Sequence, residues 1–320
     1  MLRRRLLAGL GAAAAAATVR PDTAYANDFP SRPVEIVVGF PPGGGTDMVA
    51  RAFAEAARRY SSQPFLVVNR PGASGALGLA DVLSNRPDGH RVALVTSELA
   101  ILPALNQVRF SVEDFKFVAR LNADPSVLYV RTESPFATLE DFTAEALRRP
   151  GRIRAADAGV GSIFHLANAA WAERAAVEVI HVPFQGSAPG VVALLGGHVD
   201  SMTTGPAEGG QHVAGGRLRA LAVMADTRLP AFPDVPTLKE RGMDLSIGVW
   251  RGLGVRRDTP APIANTLAEI ARRVAMDGGF REAMTRGNQT LAFAEGPEFE
   301  GIVNQDRVLF QSLVARLRLG

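Results

Sequence analysis

The chain has 320 residues, 47% of them hydrophobic and 21% charged, with 35 basic against 32 acidic side chains and no cysteine. This is an ordinary globular balance, enough for one large domain or two medium ones and unlike that of a disordered or fibrous chain. The missing cysteine excludes disulfides, thiol nucleophiles and zinc–thiolate centres together, and no apolar run reaches the roughly 18–20 residues of a membrane-spanning helix.

The first element is a leader. Arg3, Arg4 and Arg5 precede a small apolar run from Leu6 to Val19, and "AYA" at Ala24 to Ala26 has the small-x-small pattern cut by a signal peptidase. A signal peptide over residues 1–26 is expected, with Asn27 as the mature N-terminus; the arginines fit both a general and a loose twin-arginine export signal. The leader carries four arginines and one aspartate, which leaves 31 basic against 31 acidic residues in the rest. The formal excess of +3 thus belongs to the leader and does not argue for a nucleic-acid partner.

Strand and helix then alternate. "VEIVVGF" (34–40) reads as a strand, "DMVARAFAEAARRY" (47–60) as an amphipathic helix, "PFLVVNR" (64–70) as a strand, "ALGLADVLSN" (76–85) as a helix and "HRVALVTS" (90–97) as a strand, which is βαβαβ. Beyond the segment 114–131 the same grammar resumes, with helices at 139–149, 164–175 and 188–197 and strands at 152–158, 177–184, 199–204 and 218–225. "IGVWRGLGV" (247–255) is a further strand, followed by a helix at 261–276 and a last one from Pro297 to about Arg318. The reading is α/β, with two layers in succession and no low-complexity linker.

Four glycine- or hydroxyl-rich turns fall where a strand exits into a helix: "FPPGGGTD" (40–47), "PGASGALG" (71–78), "GVGSIFH" (159–165) and "PFQGSAPG" (183–190). In an open α/β sheet that is the ligand-binding edge. Glycine lets the backbone approach a ligand, and a helix's first turn offers unpaired N–H groups at the positive end of its dipole, so such loops favour an anion. In "GGGTD" the third glycine is expected to take backbone angles closed to other residues, and Thr46 to cap the following helix. A P-loop needs a lysine after its glycines, and Thr46-Asp47 supplies none; "GFPPGGG" also misses the G-x-G-x-x-G spacing of a dinucleotide site. A small carboxylate is the simpler ligand. The five histidines form no H-E-x-x-H pair, and no G-x-S-x-G elbow is present.

Together, "FPSRPVEIVVGFPPGGGTDMVAR", "VVNRPGASGALG", "PDGHRVAL", "HVPFQGSAPGVVALLGGHVDSM", "PDVPTLKERG" and "WRGLGV" make the chain similar to the extracytoplasmic solute-binding proteins of tripartite tricarboxylate transporters, the Bug proteins. The resemblance covers nearly the whole mature chain. It implies a type II periplasmic-binding-protein fold: two mixed sheets flanked by helices, in two lobes that close over a small carboxylate such as a di- or tricarboxylate, an acidic amino acid or an aromatic acid. Residues 27–124 and 246–320 would form lobe 1 and residues 125–245 lobe 2. The implied protein is a periplasmic monomer that delivers its ligand to a membrane permease, with no catalytic residue, cofactor, metal or nucleic acid.

Carried over by position, the first-lobe contacts are Phe40, Pro41, Gly44, Gly45 and Thr46, with Ser74 and Ser97; Asp47 aligns with an acidic position and reads as ordering its loop. The second lobe offers Gly161, Ser162, Ile163, His165, Gln185, Gly186, Ser187 and Thr204. In place of the hydroxyl pair common before His-Leu, this chain has Ile163-Phe164, which favours an aromatic or less polar acid over citrate. Trp250 and Arg251 read either as an aromatic wall with a cation or as a solvated charge. Two rivals remain: a sensor subunit that presents its ligand to a signalling protein, and a secreted α/β serine hydrolase built on Ser97 or Ser162 with His165.

Overall fold

The computed structural model describes residues 29–319; the expected signal peptide over 1–26 lies outside the described residues. β1 (Val34–Val38) runs into α1 (Gly45–Ala57), β2 (Phe65–Asn69) into α2 (Ala76–Leu83), and β3 (Arg91–Thr96) into the short α3 (Glu98–Ile101). β4 (Phe115–Arg131) is followed by α4 (Leu139–Arg148), β5 (Ile153–Asp157), α5 (Ile163–Arg174), β6 (Val179–Pro183), α6 (Ser187–Leu195), β7 (Ser201–Thr204), α7 (Pro206–Ala214) and β8 (Leu218–Met224). β9 (Gly248–Arg256), α8 (Ala261–Met276), α9 (Gly278–Arg286), β10 (Leu291–Glu295) and α10 (Gly296–Leu317) complete the fold.

The strands form two mixed sheets that share β4. In the first the order is β2-β1-β3-β9-β4, with β1 parallel to β2 and β3, and with β9 and β10 antiparallel to β4. In the second, β5 is parallel to β6 and β7, and β4 takes β7 and β8 antiparallel. One 17-residue strand serves both: its register with β9 runs from Phe115 to Pro125, and its register with β8 begins at Ser126. β1 is apolar almost throughout because helices cover parallel strands on both faces. α1 shows the helical counterpart, burying Val49, Ala50, Phe53 and Ala57 while Arg51, Glu55 and Arg58 face water. The expected α/β architecture of two mixed sheets flanked by helices is the observed one.

One core lies between the first sheet, α1, α8 and α9. A larger one continues from the other face of that sheet beneath α10 into the second, where Trp171 of α5 stacks on Phe142 of α4 with ring centroids 5.4 Å apart. Among the elements that were not expected are α7 and β10. α7 hides behind the adjacent Gly209 and Gly210, poor helix formers; a Cβ on Gly209 would stand 2.3 Å from the Tyr129 ring, so the helix needs the glycine to lie against β4. β10 is short, half-buried and broken in register, and shows no clear period-2 alternation.

Candidate functional site

The four turns singled out above lie at the carboxyl ends of β1, β2, β5 and β6, two from each sheet. At the first, the positive φ belongs to Gly43 (87°), not to the third glycine, and Thr46 does not cap α1. Gly45 is already helical and is required for space: a Cβ there would lie 2.8 Å from Glu208 Oε1 and 2.9 Å from Arg251 Nη2. Asp47 does the ordering. Its Oδ2 accepts the Gly43 N–H at 3.0 Å and Arg51 Nε at 2.8 Å, and its Oδ1 accepts the Asn69 amide, which also donates to the Phe40 carbonyl. Burial pushes the Asp47 carboxyl up, but the hydrogen bonds from Arg51, Gly43 and Asn69 outweigh it and hold the group below its ordinary value.

The helix N-termini are answered across the cleft by glutamates. Glu208 of α7 accepts the Gly45 N–H of α1 at 2.8 Å, and Glu98 of α3 accepts the Ile163 N–H of α5 at 3.0 Å. Each sheet's helix layer therefore supplies the carboxylate that meets the other's helix dipole. Both glutamates are buried, and that burial pushes both carboxyls up despite the amides and the nearby Arg251. Oε2 of Glu98 accepts the Thr96 hydroxyl; Oε2 of Glu208 is buried without a partner among the described residues.

Between these glutamates lies Arg251, on β9 between Thr96 of β3 and Asn122 of β4. It is 1% exposed, so the reading as a solvated charge is corrected. Nη1 meets Asp124 Oδ2 at 2.8 Å, and Nε donates to the Thr46 hydroxyl at 3.0 Å. Asn122 and Gln289 close the ring, Gln289 donating to the Gly45 carbonyl at 2.9 Å. Nη2 has no hydrogen-bond acceptor among the described residues, and Arg251 lines a cavity together with Phe40, Thr46, Phe164, Ser187 and Glu208. Burial raises the Asp124 carboxyl against the pull of Arg251. Trp250 points the other way, its indole donating to Asp306 at 2.8 Å and packing on Phe299, so it is no wall of this cavity.

The inner cavity holds about 20 Å³, water-sized. It is lined by Phe40, Pro41, Gly44, Gly45, Thr46 and Ser187 among the expected residues. It adjoins, through Phe40, Pro41 and Ala158, a cleft of about 300 Å³ that reaches Ser74, Gln185 and Gly186. Ser74 also clasps the cleft shut, donating to the Val160 carbonyl at 2.6 Å. Ser97 donates to the Gly248 carbonyl and accepts the Trp250 N–H, fixing β9. Ser162 caps α5 by accepting the His165 N–H, and His165 Nδ1 accepts the Gly161 N–H; burial lowers the imidazole's pKa. Thr204 is fully buried at the end of β7, its hydroxyl without a partner among the described residues. Behind the second sheet's edge, Asp157, His165 and His181 approach one another with donor atoms up to 4.8 Å apart, wider than the ~3.3 Å spacing that tetrahedral zinc bonds of about 2.0 Å would impose.

Glu98 and Glu208 are the charged site residues the sequence reading missed, alongside Ala158 and Ala188 of the cavity wall. Glu98 follows Ser97 at a strand's carboxyl end and was open to the same positional argument; Glu208 sits in the unexpected helix.

The family profile described as "Tripartite tricarboxylate transporter family receptor" matches residues 49–304. The chain is 36% identical over 325 residues to the UPF0065 protein in the tcbD-tcbE intergenic region of Pseudomonas sp. strain P51, covering 99% of this chain and 95% of that one. Among solved structures it is 41% identical to a TctC solute binding protein from Polaromonas with no ligand, over 90% of this chain and 99% of that one, at a TM-score of 0.69. It is 28% identical to MatC from Rhodopseudomonas palustris with bound malate, over 89% and 100%, at a TM-score of 0.83.

Proposed function

Because the chain belongs to the tripartite tricarboxylate transporter receptor family, we propose that it captures a small carboxylic acid in the cleft between its two sheets and hands it to the membrane permease of such a transporter. The observation that carries this reading is the convergence of the α1, α5 and α6 N-termini, from both sheets, on one cleft. The first turns of Thr46, Ser187 and Ala188 line its inner end, where backbone N–H groups favour a carboxylate. Phe40, Pro41, Gly44 and Gly45 shape the wall, Ser74, Gln185 and Gly186 the mouth, and Asp47, Ser97, Gly161, Ser162, Ile163 and His165 act through the backbone hydrogen bonds they make, with Thr204 buried behind them.

We take the lobes to be residues 27–124 with 246–320 and residues 125–245; the change of β4 partner from β9 to β8 between Pro125 and Ser126 supports a division near Asp124. Closure is supported by a contrast between relatives: in shape the chain lies nearer the malate-bound one at 28% identity than the ligand-free one at 41%. A ligand that touches both lobes favours the closed state by its differential affinity.

The protein acts in the periplasm as a monomer, after cleavage behind Ala26, and makes or breaks no bond. Against the hydrolase, Ser97 is committed to β9 and Ser162 to the α5 cap, and neither hydroxyl hydrogen-bonds the His165 imidazole among the described residues. A thermal-shift panel of organic acids on the mature chain tests the reading: a rise in Tm with at least one acid is expected. An unmoved Tm throughout, with turnover of activated esters, overturns it. Pull-down of membrane fractions with and without ligand separates permease delivery from sensing.

A further inference from the structure

The amides that open α1 and α5 are already occupied, by Glu208 and Glu98. Arg251, the one cationic side chain lining the cleft among the described residues, is paired with Asp124, so with Arg251, Asp124, Glu98 and Glu208 all ionised the buried centre carries two negative charges in excess. A di- or tricarboxylate would add more negative charge to a small, largely buried space, where like charges repel more strongly than in water. Glu208 Oε2, meanwhile, is buried with both lone pairs unanswered among the described residues, a costly state for a carboxylate. The cleft lacks a donor, preferably a charged one, at Glu208, and an acceptor at Arg251 Nη2.

We propose that the preferred ligand is a small acid that also bears a cationic nitrogen, a zwitterion of net charge zero or above. Its ammonium is held by Glu208 Oε2 with help from Glu98, and its carboxylate by Arg251 Nη2 with the first-turn amides of Thr46, Ser187 and Ala188. An ammonium brings three donors to a pair of carboxylates that have room for them. The apolar surfaces of Phe40 and Phe164 take the ligand's carbon skeleton, and the lobes part to admit it, since the closed cavity is water-sized. This deepens the receptor reading and rests on it: Glu98, Glu208 and Arg251 become the residues that set which acid is carried.

The test is a titration of the mature chain by calorimetry with acids matched in pairs that differ by one amine: leucine against 4-methylpentanoate, phenylalanine against 3-phenylpropionate, 4-aminobutyrate against butyrate. In at least one pair the amine-bearing member should bind about tenfold tighter or more. Glu208→Gln should narrow the preference for the amine-bearing member of that pair by a similar factor, and Glu98→Gln should do the same more weakly. Plain acids that bind the native chain as well as their amine-bearing partners overturn the inference and leave the receptor reading standing. If no acid of either kind binds, the receptor reading falls and this inference with it. The comparison of ligands on the native chain needs no variant to fold, and thermal melts of both variants show whether their binding losses are local.

Discussion

Two arginine–aspartate pairs join distant parts of this chain, one at its centre and one at its rim. Arg251 and Asp124 are 1% and 0% exposed, and burial drives the Asp124 carboxyl up. Arg59 and Asp277 bridge the turn just after α1 to the start of α9, with the arginine half exposed. There Arg59, followed by the Phe280 amide and the Tyr60 hydroxyl, overcomes partial burial and holds the Asp277 carboxyl far below the usual carboxylate range. The same two residue types thus act with opposite sign. At the rim the pair is a staple whose ionised form is favoured; at the centre it is a charge that the fold carries at a cost, enclosed by Thr46, Asn122, Gln289 and Thr290 so that it stays oriented towards the cleft.

The largest way to break that comparison is Arg251→Met, which leaves the buried Asp124 without its cation. Stability should fall by about 3–5 kcal/mol, a drop in Tm of roughly 10 °C. Adding Asp124→Asn should return at least about 2 kcal/mol of it; a double variant no more stable than the single one would show that the lost charge partner is not the cause. At the rim, Asp277→Ala removes the α9 cap and should cost about 1–2 kcal/mol in denaturant melts at neutral pH. Because the Asp277 carboxyl lies below its unfolded value of 3.8, its contribution is complete above that value and fades as pH falls towards the folded one. The native chain's lead over the variant should therefore shrink below pH 4.

A control far from both pairs is Thr138→Ala, which opens the exposed capping box of α4. It should lower stability by about 1 kcal/mol and leave every ligand affinity untouched. The smallest effect tests the sign at the centre. Glu98 and Glu208 have carboxyls raised by burial, so what they contribute is fully present below their unfolded value of 4.5 and is lost as pH rises through the folded one. The difference in Tm between Glu208→Gln and the native chain should drift in favour of the variant by about a degree or two from pH 5 to pH 8; a flat difference would count against a strained carboxylate there.

Much of this architecture was legible in the sequence, for identifiable reasons. Strands such as β1 and β3 are short apolar runs bounded by proline and glycine, and α1, α8 and α10 carry helical spacing that no tertiary contact overrides. Asp47 was legible as the organiser of its loop because a carboxylate next to an anion site needs another employment, and Arg51, Gly43 and Asn69 supply it. What stayed hidden depends on long-range contact. α7 exists because β4 demands a flat helix face, which looks like a loop when read as Gly209-Gly210. Arg251 is two-faced in one dimension, since only the pairing of β9 between β3 and β4 decides whether a strand arginine faces water or the interior. The reciprocal glutamates escape for the same reason: each answers a helix more than sixty residues away.

The strand that belongs to both sheets has a consequence for how the chain is assembled in time. β4 closes the first sheet only by pairing with β9 and β10, more than a hundred residues further along, so no N-terminal fragment holds that sheet's full complement of strands. Loops of that length raise the entropy of closure and slow the search for the native pairing. The molecule is thereby committed to late, cooperative folding once nearly all of it is available, and its two halves should melt in a single transition.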